Sequence, residues 1–224
     1  MDENLADNIQ LKLPKASEKV KDIYTANEIE ILLRKPKKGC SEVEYQTWVF
    51  INLIMSTGLR LSSALALTVY DYNAKENILI VNKTKQKKGQ RLLLNKDMCN
   101  ILNSYIRLFM LDNNSYLFPC AEGTALKKRS MQDNVATYNN SRNVKKTSIH
   151  LMRHTFASNY IRNGGDIYSL QHILGHSDIA TTQKYLKSLD CDVRDIGTTY
   201  NPQLLYSSAR TNSNKKRRGK MTRI

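Results

Sequence analysis

Cysteine is scarce in this chain and acid is outnumbered. Only Cys40, Cys99, Cys120 and Cys191 occur among 224 residues, with no CxxC spacing. That pattern excludes a disulfide framework and a cysteine zinc site, and it fits a reducing compartment. No apolar run approaches the ~18–20 residues that span a bilayer, and the N-terminus lacks a signal-peptide core. These absences predict a soluble, cytoplasmic protein with no membrane partner. The 20 acidic residues face 35 lysines and arginines, for a net charge of +15. An excess of that size asks for a polyanion, nucleic acid first. A basic tail alone could produce it. From Tyr206 onward there are seven cations and no acid, yet subtracting them from +15 leaves +8 on the rest. The body itself is basic.

What is present divides into a polar start, a patterned middle and a basic end. Residues 1–20 carry neither helical nor strand periodicity and are interrupted by Pro14. Thr25-Ala26-Asn27-Glu28 is a capping box that opens a helix to about Arg34. Trp48, Val49, Ile51, Leu53, Ile54 and Met55 predict a mostly buried helix over 41–56, ended by Gly58. A short helix follows over 61–67. Ile78–Val81 and Arg91–Leu94 read as a hairpin around a turn that carries Lys83, Lys85, Lys87 and Lys88. Further helices are expected over 96–111, 125–138, 148–163, 167–174 and 178–188, with Ser177 as the cap of the last. The fold class expected is mixed and mainly α, with a small antiparallel sheet packed on one side of a helical core. The last 20 or so residues are a basic, low-complexity tail.

Two segments carry chemistry: His150-Leu151-Met152-Arg153-His154-Thr155-Phe156-Ala157, and Leu174-Gly175-His176, followed nine residues later by Tyr185. Residues three apart share a helix face, so His150 and Arg153 project together. Each signal alone is ordinary, since an isolated HxxR is usually a surface pair and an amphipathic tyrosine is usually core. His150 and His154 stand at the spacing of a metalloprotease helix, but no glutamate lies between them and no third ligand follows, so no metal is expected. His154 reads as a core residue and His172 as packing or surface.

Taken together, with Ser56-Thr57-Gly58-Leu59-Arg60-Leu61-Ser62 upstream, these segments resemble the catalytic domain of the tyrosine recombinases, also called phage integrases. The first segment is similar to the one bearing that family's first arginine, the others to its HxxRH and LGH segments, and Tyr185 falls where its nucleophile belongs. The resemblance also implies a lysine in a strand turn. Lys85 fits best, with Lys83 and Lys87 within reach of the same alignment. One departure stands out: Ser63 occupies a position that commonly holds an acid, which loosens Arg60 unless the serine bonds to it.

The implied roles follow from what a phosphodiester attack requires. Its transition state gathers negative charge on the non-bridging oxygens, which arginine forks match with directed bonds. Arg60 and Arg153 are thus the expected clamp and His176 a further phosphate donor. His150 is the expected acid/base for the tyrosine proton. Tyr185 is the nucleophile and Lys85 the acid that protonates the leaving oxygen. The expected activity is site-specific strand exchange of a mobile element on double-stranded DNA through a 3′-phosphotyrosine, without cofactor or small-molecule substrate. A type IB topoisomerase or an inactive DNA-binding regulator of the same fold are the alternatives. The expected domain plan is a linker or the end of a missing N-terminal DNA-binding domain over 1–20, a catalytic domain over 21–190, and an assembly segment and basic tail over 191–224. Residues 189–205 include Val193, Ile196, Leu204 and Leu205, an apolar set expected to dock on a neighbour within a homotetramer on DNA; a nucleoid location follows from that partner.

Overall fold

The computed structural model describes residues 23–82, 89–176 and 178–188, the side chains of 186–188 excepted. Among the described residues, eight α-helices and three short strands make a helical body with a small sheet on one side. Helix α1 (Ala26–Leu33) opens with the expected capping box: Thr25 Oγ1 accepts from the Glu28 amide at 3.2 Å and the Glu28 carboxylate accepts from the Thr25 amide at 2.8 Å.

The organising element is α2 (Glu42–Thr57), apolar on nearly all sides and buried along most of its length. It is flanked by α1, by α4 (Lys96–Leu108), by α5 (Lys128–Asn140) and by α6 (Ile149–Arg162). Val49, Phe50, Ile51, Leu53 and Ile54 are all fully covered. Each such side chain contributes about 1.5–3 kcal/mol on burial. Tyr45, Trp48, Tyr105 and Phe109 add edge-on and stacked ring contacts at 4.5–6.4 Å.

Helix α3 (Leu61–Leu65) is followed by a 3-10 turn at Val69–Asp71 and strand β1 (Tyr72–Asn73), neither evident in the sequence pattern. Strands β2 (Ile78–Val81) and β3 (Gln90–Leu93) form the expected hairpin, with Leu79 opposite Leu92 and Val81 opposite Gln90 on the inner face. The lysine-bearing turn at 83–88 lies outside the described residues, as do the 1–20 linker, the Ser177 cap and the segment from 189 onward.

Three helices differ from expectation, α3 by ending at Leu65 rather than 67. Helix α4 stops at Leu108 although Phe109, Met110 and Leu111 prolong the apolar run; Met110 adopts φ 50° and turns the chain back. Helix α5 starts at Lys128 rather than near 125, because Ala125 pairs with Pro119 in an isolated bridge.

A second, smaller core lies under the C-terminal helices. Ala157 and Ile161 of α6, Leu170 and Leu174 of α7 (Ile167–Leu174), and Tyr185 of α8 (Ile179–Ser188) form it, with Phe156, Tyr160 and Ile167 at its edge. Helix α8 is held by α6 and α7, so the placement of Tyr185 depends on this small cluster. Among the described residues no helix is long and apolar enough to cross a membrane.

Candidate active site

Two glycines bring the site's parts into register. Gly58 ends α2 with φ 64° and Gly175 ends α7 with φ 61°, a left-handed turn that costs a residue with a Cβ but not glycine. At Gly58 the reason is also steric, because a Cβ there would lie 2.9 Å from Leu174 and against the Phe156 ring. The C-terminal ends of α2 and α7 therefore meet beside α6.

Both arginines bind at that meeting point. Arg153 is 5% exposed; its Nη1 donates to Gly58 O and its Nη2 to Leu174 O at 3.0 Å. Arg60, exposed at the N-cap of α3, donates from Nη1 to Leu174 O at 3.3 Å and to Gly175 O at 3.4 Å. These carbonyls sit at helix C-termini, where the backbone carries partial negative charge. Backbone dipoles thus orient both guanidinium groups. Among the described residues, neither makes an ion pair with a carboxylate. Their positive charge is left for something else. Burial, and then the charge of Arg60, lower the Arg153 pKa to about 10, so it stays protonated at neutral pH. Ser63 supplies no side-chain bond to Arg60 among the described residues; the carbonyls of α7 do the orienting.

The histidine follows directly from Gly175. His176 Nε2 lies 2.9 Å from Arg153 Nη2, and its Nδ1 lies 2.9 Å from Thr182 Oγ1. Guanidinium nitrogen only donates, so Nε2 accepts and Nδ1 carries the proton, which it donates to Thr182. Burial, with Arg153 and Arg60 nearby, lowers the His176 pKa to about 4. The ring is neutral. To serve as a phosphate donor, as the resemblance implies, it must carry a proton on the nitrogen that meets the phosphate.

Tyr185 is 7% exposed, with its ring nearly parallel to His176 at 6.5 Å and edge-on to His154 at 4.8 Å. Burial raises the phenol pKa, and Arg153 and Arg60 oppose that rise. The phenol is protonated at neutral pH. His154 is buried against it, with Ser158 Oγ 3.4 Å from its Nδ1, matching its reading as a core residue; His172 is exposed.

Arg60, His150, Arg153, His176 and Tyr185 all line one cleft of about 870 Å³. His150 is exposed there while Arg153, one turn on, is buried. Lys128, Arg129 and Lys184 add cations to the lining, against Asp133, which pairs with Arg129 at 3.1 Å. Lys85, with the alternatives Lys83 and Lys87, falls outside the described residues. Among the described residues no three His, Cys, Asp or Glu side chains gather as a metal site.

Sequence reasoning missed Thr182, Gln90 and the α5 cations. Gln90 is 7% exposed on the inner face of β3; its amide donates to His172 O at 2.6 Å and to Ile173 O. It fastens the base of the lysine-bearing hairpin to the last turn of α7. The run Lys127-Lys128-Arg129 was the available signal for the α5 cations.

The family model described as the phage integrase family matches residues 23–191. The chain belongs to the phage integrase family. Its curated relatives include the tyrosine recombinase XerD of Staphylococcus epidermidis, 27% identical over 201 residues that cover 87% of this chain and 68% of the relative. Among solved structures, the crystal structure of XerA recombinase matches with a TM-score of 0.68 and 26% identity, over 87% of this chain and 68% of that one. The catalytic domain of bacteriophage HP1 integrase shares the fold, with a TM-score of 0.58 and 23% identity over 80% of this chain and 95% of that domain. The mixed, mainly helical architecture is that of the tyrosine recombinase catalytic domains, and by family the chain is a tyrosine-type DNA recombinase.

Proposed function

We propose that this chain performs site-specific DNA strand exchange through a covalent 3′-phosphotyrosine formed by Tyr185, in the integration or excision of a mobile element. The observation that carries the reading is Tyr185 enclosed beside two arginines that no described carboxylate neutralises. A backbone phosphate fits that charge. The Tyr185 oxygen attacks phosphorus, the bond to the 5′ oxygen breaks, and the strand end is held as a phosphodiester to the phenol. Because the reactant bond and the product bond are of one type, a new 5′-hydroxyl reverses the step with no energy source.

Each side chain has a part. Arg60 and Arg153 hold the non-bridging oxygens as charge develops, each supplying on the order of 3 kcal/mol. The protonated phenol needs a base to attack, and that part falls to His150 on the cleft wall. Lys85 delivers a proton to the departing 5′ oxygen. His176 joins the clamp once protonated. The basic lining and basic tail hold the duplex backbone without reading sequence. Strand exchange joins two duplexes, and a homotetramer on DNA supplies the four active sites that it uses.

The test is adduct formation on a nicked suicide duplex. Tyr185→Phe should abolish the covalent complex and leave DNA affinity within a few fold. A Phe variant that still forms adduct moves the nucleophile to Tyr200 or Tyr206. A parent chain that binds DNA and forms no adduct supports the inactive-regulator reading instead.

A further inference from the structure

We propose that Thr182 is a positioning residue that fixes the tautomer of His176 and thereby decides which ring nitrogen meets the DNA phosphate. This rests on the reading of Tyr185 and its arginines as a phosphoryl-transfer site. Thr182 has no exposed surface, and its hydroxyl lies 2.9 Å from His176 Nδ1. It stands one helical turn before Tyr185 on α8, so one turn of helix holds both the nucleophile and the ring beside it.

A solvated neutral imidazole carries its proton mainly on Nε2. That form would set a donor against Arg153 Nη2, 2.9 Å away, which only donates. The Thr182 oxygen resolves the conflict by accepting from Nδ1–H, which leaves the Nε2 lone pair toward Arg153. When a phosphate oxygen enters between Arg153 and the ring, Nε2 takes a proton and becomes a donor to it. The Nδ1–H bond to Thr182 is unchanged in that step. The hydroxyl therefore serves the neutral and the charged ring alike, and the ring need not rotate or exchange tautomers.

The charged and titratable groups that share the cleft are Arg60, Arg153, His150, His154, Lys184 and Tyr185, with Lys128, Arg129 and Asp133 of α5, and of these Arg153 and Arg60 act on the ring. The two arginines oppose ring protonation, so the bound phosphate must drive it. Removing the Thr182 acceptor withdraws the bond to Nδ1–H that both forms use, and the charged ring loses more because its N–H is the stronger donor.

Thr182→Val keeps the volume and the branched shape, and Thr182→Ser keeps the hydroxyl. With the full chain and a nicked suicide duplex at saturation, single-turnover adduct rates for the Val variant should fall about tenfold to a hundredfold at neutral pH, the scale of loss seen when the partner orienting a metal-bound histidine is removed. DNA affinity should stay within about threefold, the Val profile should recover toward lower pH, and Ser should remain within about threefold of the parent throughout. Val matching the parent at every pH overturns the proposal. So does Ser failing as badly as Val, which would mark Thr182 as packing only. A second arm needs no DNA: nitrogen-15 shifts of His176 in the free protein should report the Nδ1–H tautomer in the parent and a shift toward Nε2–H in Val. Unchanged shifts overturn the proposal even if no chain forms adduct, a result that would separately defeat the Tyr185 reading.

Discussion

Arg153→Ala should cost the reaction far more than it costs the fold, and the two losses can be worked out separately. The side chain is 5% exposed and donates to Gly58 O and Leu174 O. Truncation removes that donor from Gly58 O and leaves Leu174 O with only the longer Arg60 bond, at up to about 1–3 kcal/mol for each buried carbonyl. It also removes a buried cation with no carboxylate among the described residues. Holding that guanidinium at a pKa of about 10 instead of 12.5 costs about 3 kcal/mol, at roughly 1.4 kcal/mol per tenfold. The two terms nearly offset, so the net change should be a loss of no more than about 2–3 kcal/mol. For a chain of this size that is a fall in Tm of about 5–10 °C at most. The chemistry has no such offset. Losing one directed donor to a developing oxyanion lowers the rate by about 10²–10³-fold. Thermal unfolding and single-turnover adduct formation read the two separately. Arg60→Ala is the control: Arg60 is exposed and its carbonyl bonds are 3.3–3.4 Å long, so it should lose a similar rate with almost no change in Tm. An Arg153→Ala chain that fails to fold, or that folds and keeps its rate, would refute the assignment of Arg153 to a clamp held at a cost in stability.

Gly58→Ala should lower Tm by several degrees, because φ 64° and a Cβ 2.9 Å from Leu174 act together; an unchanged melt would show that the α2–α7 junction gives way freely. Lys85→Ala should be rescued by a substrate whose bridging 5′ oxygen is replaced by sulfur, which leaves without a proton, whereas Arg60→Ala should not; rescue of Lys83→Ala or Lys87→Ala instead moves the acid within the turn. Truncation after Ser188 should leave a folded protein that cleaves but forms no stable tetrameric complex with DNA; normal recombination by the truncated chain removes the tail from assembly.

The parts of the fold legible in the sequence were those whose cause is local. The Thr25 capping box, the all-round apolar stretch of α2 and the Gly58 and Gly175 stops each depend on residues within a few positions. The gathering of Arg60, His150, Arg153, His176 and Tyr185 in one cleft was legible only through their joint spacing. What stayed hidden depends on distant partners. Strand β1 is two residues long, too short for any periodicity, and exists because Tyr72 and Asn73 pair with Leu79 and Ile78. Gln90 looks like any polar strand residue until the fold brings α7, more than 80 positions away, against it. Ala125 left α5 for a bridge to Pro119, a choice no propensity records.

The same distinction explains how the site is organised. The sequence offers two arginines and no acid to fix them, and Ser63 stands where an acid is common. The fold substitutes backbone for carboxylate: three carbonyls at the ends of α2 and α7 orient both guanidinium groups by dipole and hydrogen bond. A carboxylate would orient them as well, but it would also cancel charge. Carbonyls orient while cancelling less, since a helix C-terminus carries only about half a unit of negative charge. Burial is the larger cause of the lowered pKa values of His176 and Arg153, and the neighbouring arginine charge adds to it. On the proposed reading, part of the binding free energy would go into protonating His176, making it a donor where a phosphate is present to hold it.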